Sequence, residues 1–204
     1  SLRAILTLAI PSAVALIVLG EPIIRVLFEG GEFTAESTQL VYYALQFYAL
    51  ALISQSMLEV VVRAFAAQQD TYTPLFVSMF TTVINIGLAI WLTRPFELGG
   101  ISHAGPALAN GVAVLIEASI GLIILSIRWK GVDIKHILLD LSKALFASAI
   151  MAFFVILMKR VLPGAYLIQL VVGGGLGLLI YLVIVYFLGI KEIVQIPLAM
   201  LKRK

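Results

Sequence analysis

The chain has 204 residues, 62% of them hydrophobic and only 12% charged, with a mean hydropathy of +1.10 and a formal net charge of +3. Soluble domains run near half apolar and a quarter charged, so this composition excludes a water-soluble enzyme and predicts an all-α, polytopic bundle of about six membrane spans of roughly 20 residues each. The absence of cysteine excludes disulfides, thiolate metal sites and cysteine nucleophiles, and the small net charge gives no reason to expect nucleic acid as a partner.

The first predicted span runs from about Leu2 to Leu19 and contains Pro11, which membrane helices tolerate where neighbours satisfy the freed backbone groups. Glu21-Pro22 marks its end or a kink. The span starts abruptly and without methionine, as expected of a segment of a longer chain, and Pro11 with no clean cleavage site argues against a signal peptide. An amphipathic stretch from Ile23 to Phe28 leads into an acidic glycine turn, Glu29 to Glu32. Thr34 is the expected N-cap of a second helix that reaches Ala67 and closes at Gln68-Gln69-Asp70. A third span lies between Pro74 and Trp91, followed by a loop with Arg94-Pro95 and Gly99-Gly100, and a fourth runs from about Ala104 to Ile127.

A polar hinge follows, with Arg128, Lys130, Lys135 and Lys143 beside Asp133 and Asp140. The fifth span is expected from about Ala144 to Met158, and the sixth from about Leu167 to Leu188. The chain so divides into a four-helix part at 1–130, a basic cytoplasmic hinge at 131–143, a terminal helix pair at 144–190 and a basic amphipathic tail at 191–204 suited to the headgroup layer. Placing the N-terminus in the cytoplasm leaves only Arg25, Arg94, Lys159 and Arg160 of the 14 basic residues on the outer side. The bias predicts both ends inside.

Ionisable groups at membrane depth cost at least about 2.5 kcal/mol each and therefore need a partner or a water-filled cavity. On the second helix Tyr48, Gln55, Glu59 and Arg63 recur at helical spacing. Glu59 stands four residues before Arg63, so the two form either a self-neutralising pair or part of a cavity-facing site for an anionic substrate. On the fourth helix His103, Asn110 and Glu117 fall seven apart on one face, and Glu117 has no obvious local partner, making it a candidate for ion coupling or interhelical contact. Ser78, Thr81, Thr82 and Asn85 form a stripe on the third helix suited to packing through hydrogen bonds. Gly173 and Gly177 form a GxxxG on the sixth, permitting close approach or a groove. No nucleotide-binding loop, HExxH or GxSxG motif occurs, and neither an enzyme activity, a metal nor a cofactor is expected.

Three stretches carry a resemblance. The run Pro11-Ser-Ala-Val-Ala-Leu-Ile-Val-Leu-Gly-Glu-Pro22, continued by Leu27-Phe28 and by Gly31-Glu-Phe33-Thr34-Ala-Glu-Ser, is similar to the entry to the ninth helix and the following loop of the MurJ (MviN) family. Arg63-Ala-Phe65-Ala-Ala-Gln-Gln-Asp70-Thr71-Tyr72-Thr73-Pro74 resembles that family's pattern of an aromatic, an Asp-Thr and a Thr-Pro, and His103-Ala104-Gly105-Pro-Ala107-Leu108-Ala109 resembles its turn into the twelfth helix. Their order and spacing extend the resemblance over the whole chain.

The resemblance implies helices nine to fourteen of a lipid II flippase in the multidrug/oligosaccharidyl-lipid/polysaccharide exporter superfamily, working by alternating access in the bacterial plasma membrane. It implies an undecaprenyl-linked precursor and membrane lipid as partners, together with an N-terminal lobe of the same transporter. The terminal helix pair would form a groove for the lipid tail. The family's substrate-binding arginines lie mainly on helices preceding this stretch, so Arg63, Glu59 and Gln55 are candidates by position and charge alone. Two other readings compete: an exporter of another polysaccharide-lipid or drug, and a structural membrane subunit that binds partner helices through its small-residue faces.

Overall fold

The computed structural model describes residues 2–94, 104–129 and 134–189. His103, the Gly99-Gly100 loop, positions 130–133 of the hinge and the basic tail at 191–204 lie outside these residues. Among them every long element is helical: α1 (Leu2–Phe28), α2 (Ala35–Ala67), α3 (Tyr72–Leu92), α4 (Gly105–Trp129), α5 (Ile134–Val161), then α6 (Tyr166–Ile168), a π-helical turn (Gln169–Gly173) and α7 (Gly174–Phe187). The last three form one continuous rod, and among the described residues six spans are long and apolar enough to cross a membrane.

Two boundaries differ from the sequence expectation. α1 does not end near Leu19 but continues through Pro22 to Phe28. The predicted hinge over 131–143 is helical from Ile134 onward, so α5 begins ten residues before the expected start at Ala144. A drop in hydropathy marks where a helix leaves the hydrocarbon, and the hydrogen-bonded ladder is free to continue past that level.

Packing also groups the helices differently from the expected four followed by two. Ser1–Tyr42 and Lys135–Lys204 make one compact unit, and Tyr43–Ile134 the other. In the first unit α1 packs along α6, the π turn and α7. Leu6, Ala9, Ile10 and Ala13 form a buried stripe on α1, and Val14 and Ala15 pack against a buried cluster of Ala147, Met151, Tyr181 and Val185. At one end of α1, Arg25 bridges Glu21 at 3.1 Å and Glu29 at 2.8 Å, and its guanidinium sits 5.0 Å from the centre of the Tyr166 ring. Lys143, expected in the hinge, instead donates to the Leu188 carbonyl at 3.2 Å, a basic side chain closing the C-terminus of the last span.

In the second unit, helices meet across small residues. A Cβ added at Gly105 would lie 2.6 Å from the carbonyl carbon and oxygen of Leu92, and one at Gly111 would lie 3.1 Å from the Ala51 Cβ. Ala104, Ala107 and Ala109 are buried beside them. That is the physical content of the His-Ala-Gly stretch: α4 begins against the backbone of α3, where no side chain fits.

The turns follow local chemistry. Thr34 caps α2, its Oγ1 accepting the Ser37 N–H at 3.4 Å. At the other end of α2, Asp70 N–H bonds the Phe65 carbonyl at 3.1 Å and Gln69 N–H that of Ala66 at 3.0 Å, with Gln69 at φ 58°. This is a Schellman ending with glutamine in the position glycine usually holds.

Candidate functional site

The second unit carries the polar candidates. Gln55, Glu59 and Arg63 are all exposed and spaced four apart, so they form one ridge along α2. Arg63 Nη2 lies 2.9 Å from Glu59 Oε1, with the two side chains 71% and 64% exposed. An ion pair that open contributes less than about 1 kcal/mol in water. Both charged groups so stand open on the surface of this unit.

Glu117 is part-buried on α4, and its Oε2 accepts from Thr81 Oγ1 on α3 at 3.0 Å. Thr81 is buried, and its hydroxyl also lies 3.1 Å from the carbonyls of Val77 and of Ser78. One hydroxyl proton cannot serve three acceptors. No basic side chain pairs with Glu117 among the described residues. Asn85 on α3 and Asn110 on α4 are part-buried.

A further polar cluster was not assembled from sequence. Asp70 accepts the Thr73 N–H at 3.0 Å and the Thr73 hydroxyl at 2.7 Å, and Arg128 Nη1, on the last turn of α4, reaches the same carboxylate at 2.6 Å. The Asp-Thr and Thr-Pro pattern so caps α3 and ties the α2–α3 corner to α4. The Thr73 backbone N–H, its hydroxyl and the Arg128 guanidinium hold the Asp70 carboxyl below the usual carboxylate range. A lowered folded value makes the contribution to stability fully present above roughly pH 4, the unfolded carboxylate's range, and lost as pH falls through the lowered value. Asp70→Asn is expected to flatten the acid limb of a thermal-stability profile taken from pH 7 to pH 3, without shifting the limb's other contributors.

The first unit holds the apolar candidates. Gly173 and Gly177 face α5: a Cβ at Gly173 would lie 2.9 Å from the Met158 Cε, and one at Gly177 3.0 Å from the Val155 Cγ2. These glycines line two cavities. One, about 250 Å³, is walled by Pro11, Ala15 and Leu19 of α1, Met151 of α5, and Gly174 and Leu178 of the last span. The other, about 290 Å³, lies between α5 and the last span, against Leu157 and Leu176.

Polar atoms at the first cavity are already engaged. Ser12 donates to its own helix at the Leu8 carbonyl, 2.8 Å away, and the Tyr181 hydroxyl donates to the Thr7 carbonyl. The remaining surface suits hydrocarbon. Drug-sized ligand pockets start at roughly 300 Å³, so each cavity fits a length of chain rather than a whole amphiphile.

Compared with known proteins, the family model described as Lipid II flippase MurJ matches residues 1–187. The chain belongs to the MurJ family. A probable lipid II flippase MurJ of Rhizobium meliloti is 34% identical over 72% of this chain and 26% of its own length. That of Thermotoga maritima is 31% identical over 94% of this chain and 37% of its own. A solved lipid II flippase MurJ in an inward closed conformation superposes with a TM-score of 0.77 at 29% identity, covering 91% of this chain and 37% of that one. The chain thus spans between about a quarter and somewhat over a third of these MurJ relatives, and its multi-pass helical architecture is that of the family.

Proposed function

We propose that this chain is the C-terminal part of a lipid II flippase, which carries an undecaprenyl-linked peptidoglycan precursor across the bacterial plasma membrane by alternating access during cell wall synthesis. The observation that carries this reading is the match to the MurJ family over residues 1–187, supported by a like fold over 91% of the chain. The proposed work is transport, with no covalent step and no cofactor.

The roles divide by chemistry. The apolar cavities around Gly173 and Gly177 take part of the lipid tail, since their walls exclude water and their hydroxyls are already bonded. The exposed ridge of Gln55, Glu59 and Arg63 meets the anionic head of the substrate, and Glu117, Asn110 and Asn85 supply interhelical polar contacts or an ion-coupling group. Both ends of the chain face the cytoplasm. That orientation draws support from Lys159, which approaches Glu21 at 3.9 Å in the cluster around Arg25, so two of the basic residues assigned outside share one end of their helices.

The test is growth rescue. Joined to the N-terminal portion of a MurJ relative, the chain is expected to support cells depleted of their own flippase. A chimera that inserts stably, is made in normal amount and fails to rescue would overturn the reading in favour of another cargo.

A further inference from the structure

α1 contains two prolines, Pro11 and Pro22, both inside the helix. Each lacks the N–H that would bond the carbonyl four residues earlier, so the carbonyls of Thr7 and Val18 lose their helical partners. In hydrocarbon such an orphan costs several kcal/mol unless another donor reaches it.

Each of the two carbonyls has such a donor. The Tyr181 hydroxyl, on α7, donates to the Thr7 carbonyl, and Lys159 Nζ, on α5, donates to the Val18 carbonyl at 2.9 Å. The partners stand 174 and 141 positions apart in sequence. Thr7 and Tyr181 are each only 1% exposed, so water does not compete for that bond. Lys159 keeps a counter-charge in Glu21, and one residue before Val18 the Ile17 carbonyl accepts from the Tyr42 hydroxyl at 2.7 Å. Pro11 also forms part of the wall of the 250 Å³ cavity.

We propose that Tyr181 and Lys159 are positioning residues, a matched pair of carbonyl clamps, each supplying the hydrogen bond that one proline of α1 removes. By doing so they hold α1 as the third wall of the apolar groove against α5 and the last span. Only the groove role rests on the flippase reading. The bonding role stands on the geometry alone.

A double-mutant cycle on the whole protein that carries this chain, unfolded reversibly in mixed detergent, separates a clamp from ordinary packing. Tyr181→Phe keeps the ring and is expected to raise the unfolding equilibrium constant about three- to fivefold. In a Pro11→Ala background Ala's N–H can bond the Thr7 carbonyl, and the same change is expected to have no further effect. Lys159→Met is expected to lose most of its effect only with Pro22→Ala, the remainder being the lost Glu21 contact, while the crossed pairs stay additive. Should Lys159→Met fail to insert, Lys159→Gln keeps a donor and is expected to restore insertion. Equal effects in both proline backgrounds, or none in either, would overturn the proposal.

Growth rescue reads the groove role in the same variants. Tyr181→Phe is expected to slow it and Pro11→Ala to restore it; unchanged rescue beside a positive stability cycle overturns the groove role. If the unmutated protein itself fails to rescue, the flippase reading falls and the stability cycle still decides the clamp.

Discussion

Replacing Gly105 by alanine is expected to destabilise the α3–α4 pair by about 3 kcal/mol, the upper range for forcing extra volume into a packed site. The added Cβ would sit 2.6 Å from the Leu92 carbonyl carbon and oxygen and 2.8 Å from the Thr93 nitrogen. All three are backbone atoms, so no rotamer change relieves the clash and the helices must move apart. Ala104, Ala107 and Ala109, buried on the same stretch of α4, leave no slack around that site. The sign makes the result diagnostic. Glycine to alanine inside an exposed helix ordinarily gains roughly 0.5–1 kcal/mol. Gly87 in the middle of α3 has nothing within 4 Å of a would-be Cβ, and Gly87→Ala is expected to show that ordinary gain. Detergent unfolding of the two variants side by side measures both. A mild or stabilising Gly105→Ala would mean that α3 and α4 do not meet at this close distance.

Gly174→Leu is expected to abolish growth rescue while leaving the protein folded. Gly174 lines the 250 Å³ cavity, and a Cβ there would meet only Leu19 Cδ1, at an ordinary 3.9 Å. A leucine therefore enters open space and fills the volume proposed for the lipid tail. Gly175, the next residue, has nothing within 4 Å and is not among the residues lining either cavity. Gly175→Leu gains the same helix propensity and the same apolar bulk outside the groove, and rescue is expected to survive it. The loss expected is at least about tenfold in rescue efficiency, the effect of roughly 1.4 kcal/mol of binding lost at the groove. Equal rescue by both variants would show that the cavity carries no part of the substrate.

Much of the architecture is legible in the sequence. Six spans emerge because hydropathy summed over roughly 20 residues averages out local ambiguity. The second helix ends at Ala67 as expected, and the Thr34 cap and the Glu59–Arg63 pair are present, since each depends on residues three or four apart in one helix. The family was legible from three short motifs, and the structure supplies reasons for two of them. Asp70 and Thr73 cap α3, and Gly105 accepts the backbone of α3.

What failed to show in sequence depends on partners far along the chain. Pro22 read as an end or a kink, and the end is excluded because α1 passes through it. The missing bond is replaced by Lys159 from another helix, and no local rule contains that donor. Glu117 looked isolated because Thr81 stands 36 positions earlier on a different helix, and Arg128 looked like hinge polarity although it serves Asp70, 58 positions away. The grouping of α1 with the terminal helices was hidden for the same reason. By itself the sequence determined the solvent, the number and type of the spans, the Thr34 cap and the family, because each rests on composition or on spacings shorter than a helical turn or span. Only the tertiary structure decided which helices share a groove and which side chain completes each broken carbonyl, because apolar spans are alike to one another in hydropathy and are told apart only by shape and by unsatisfied backbone.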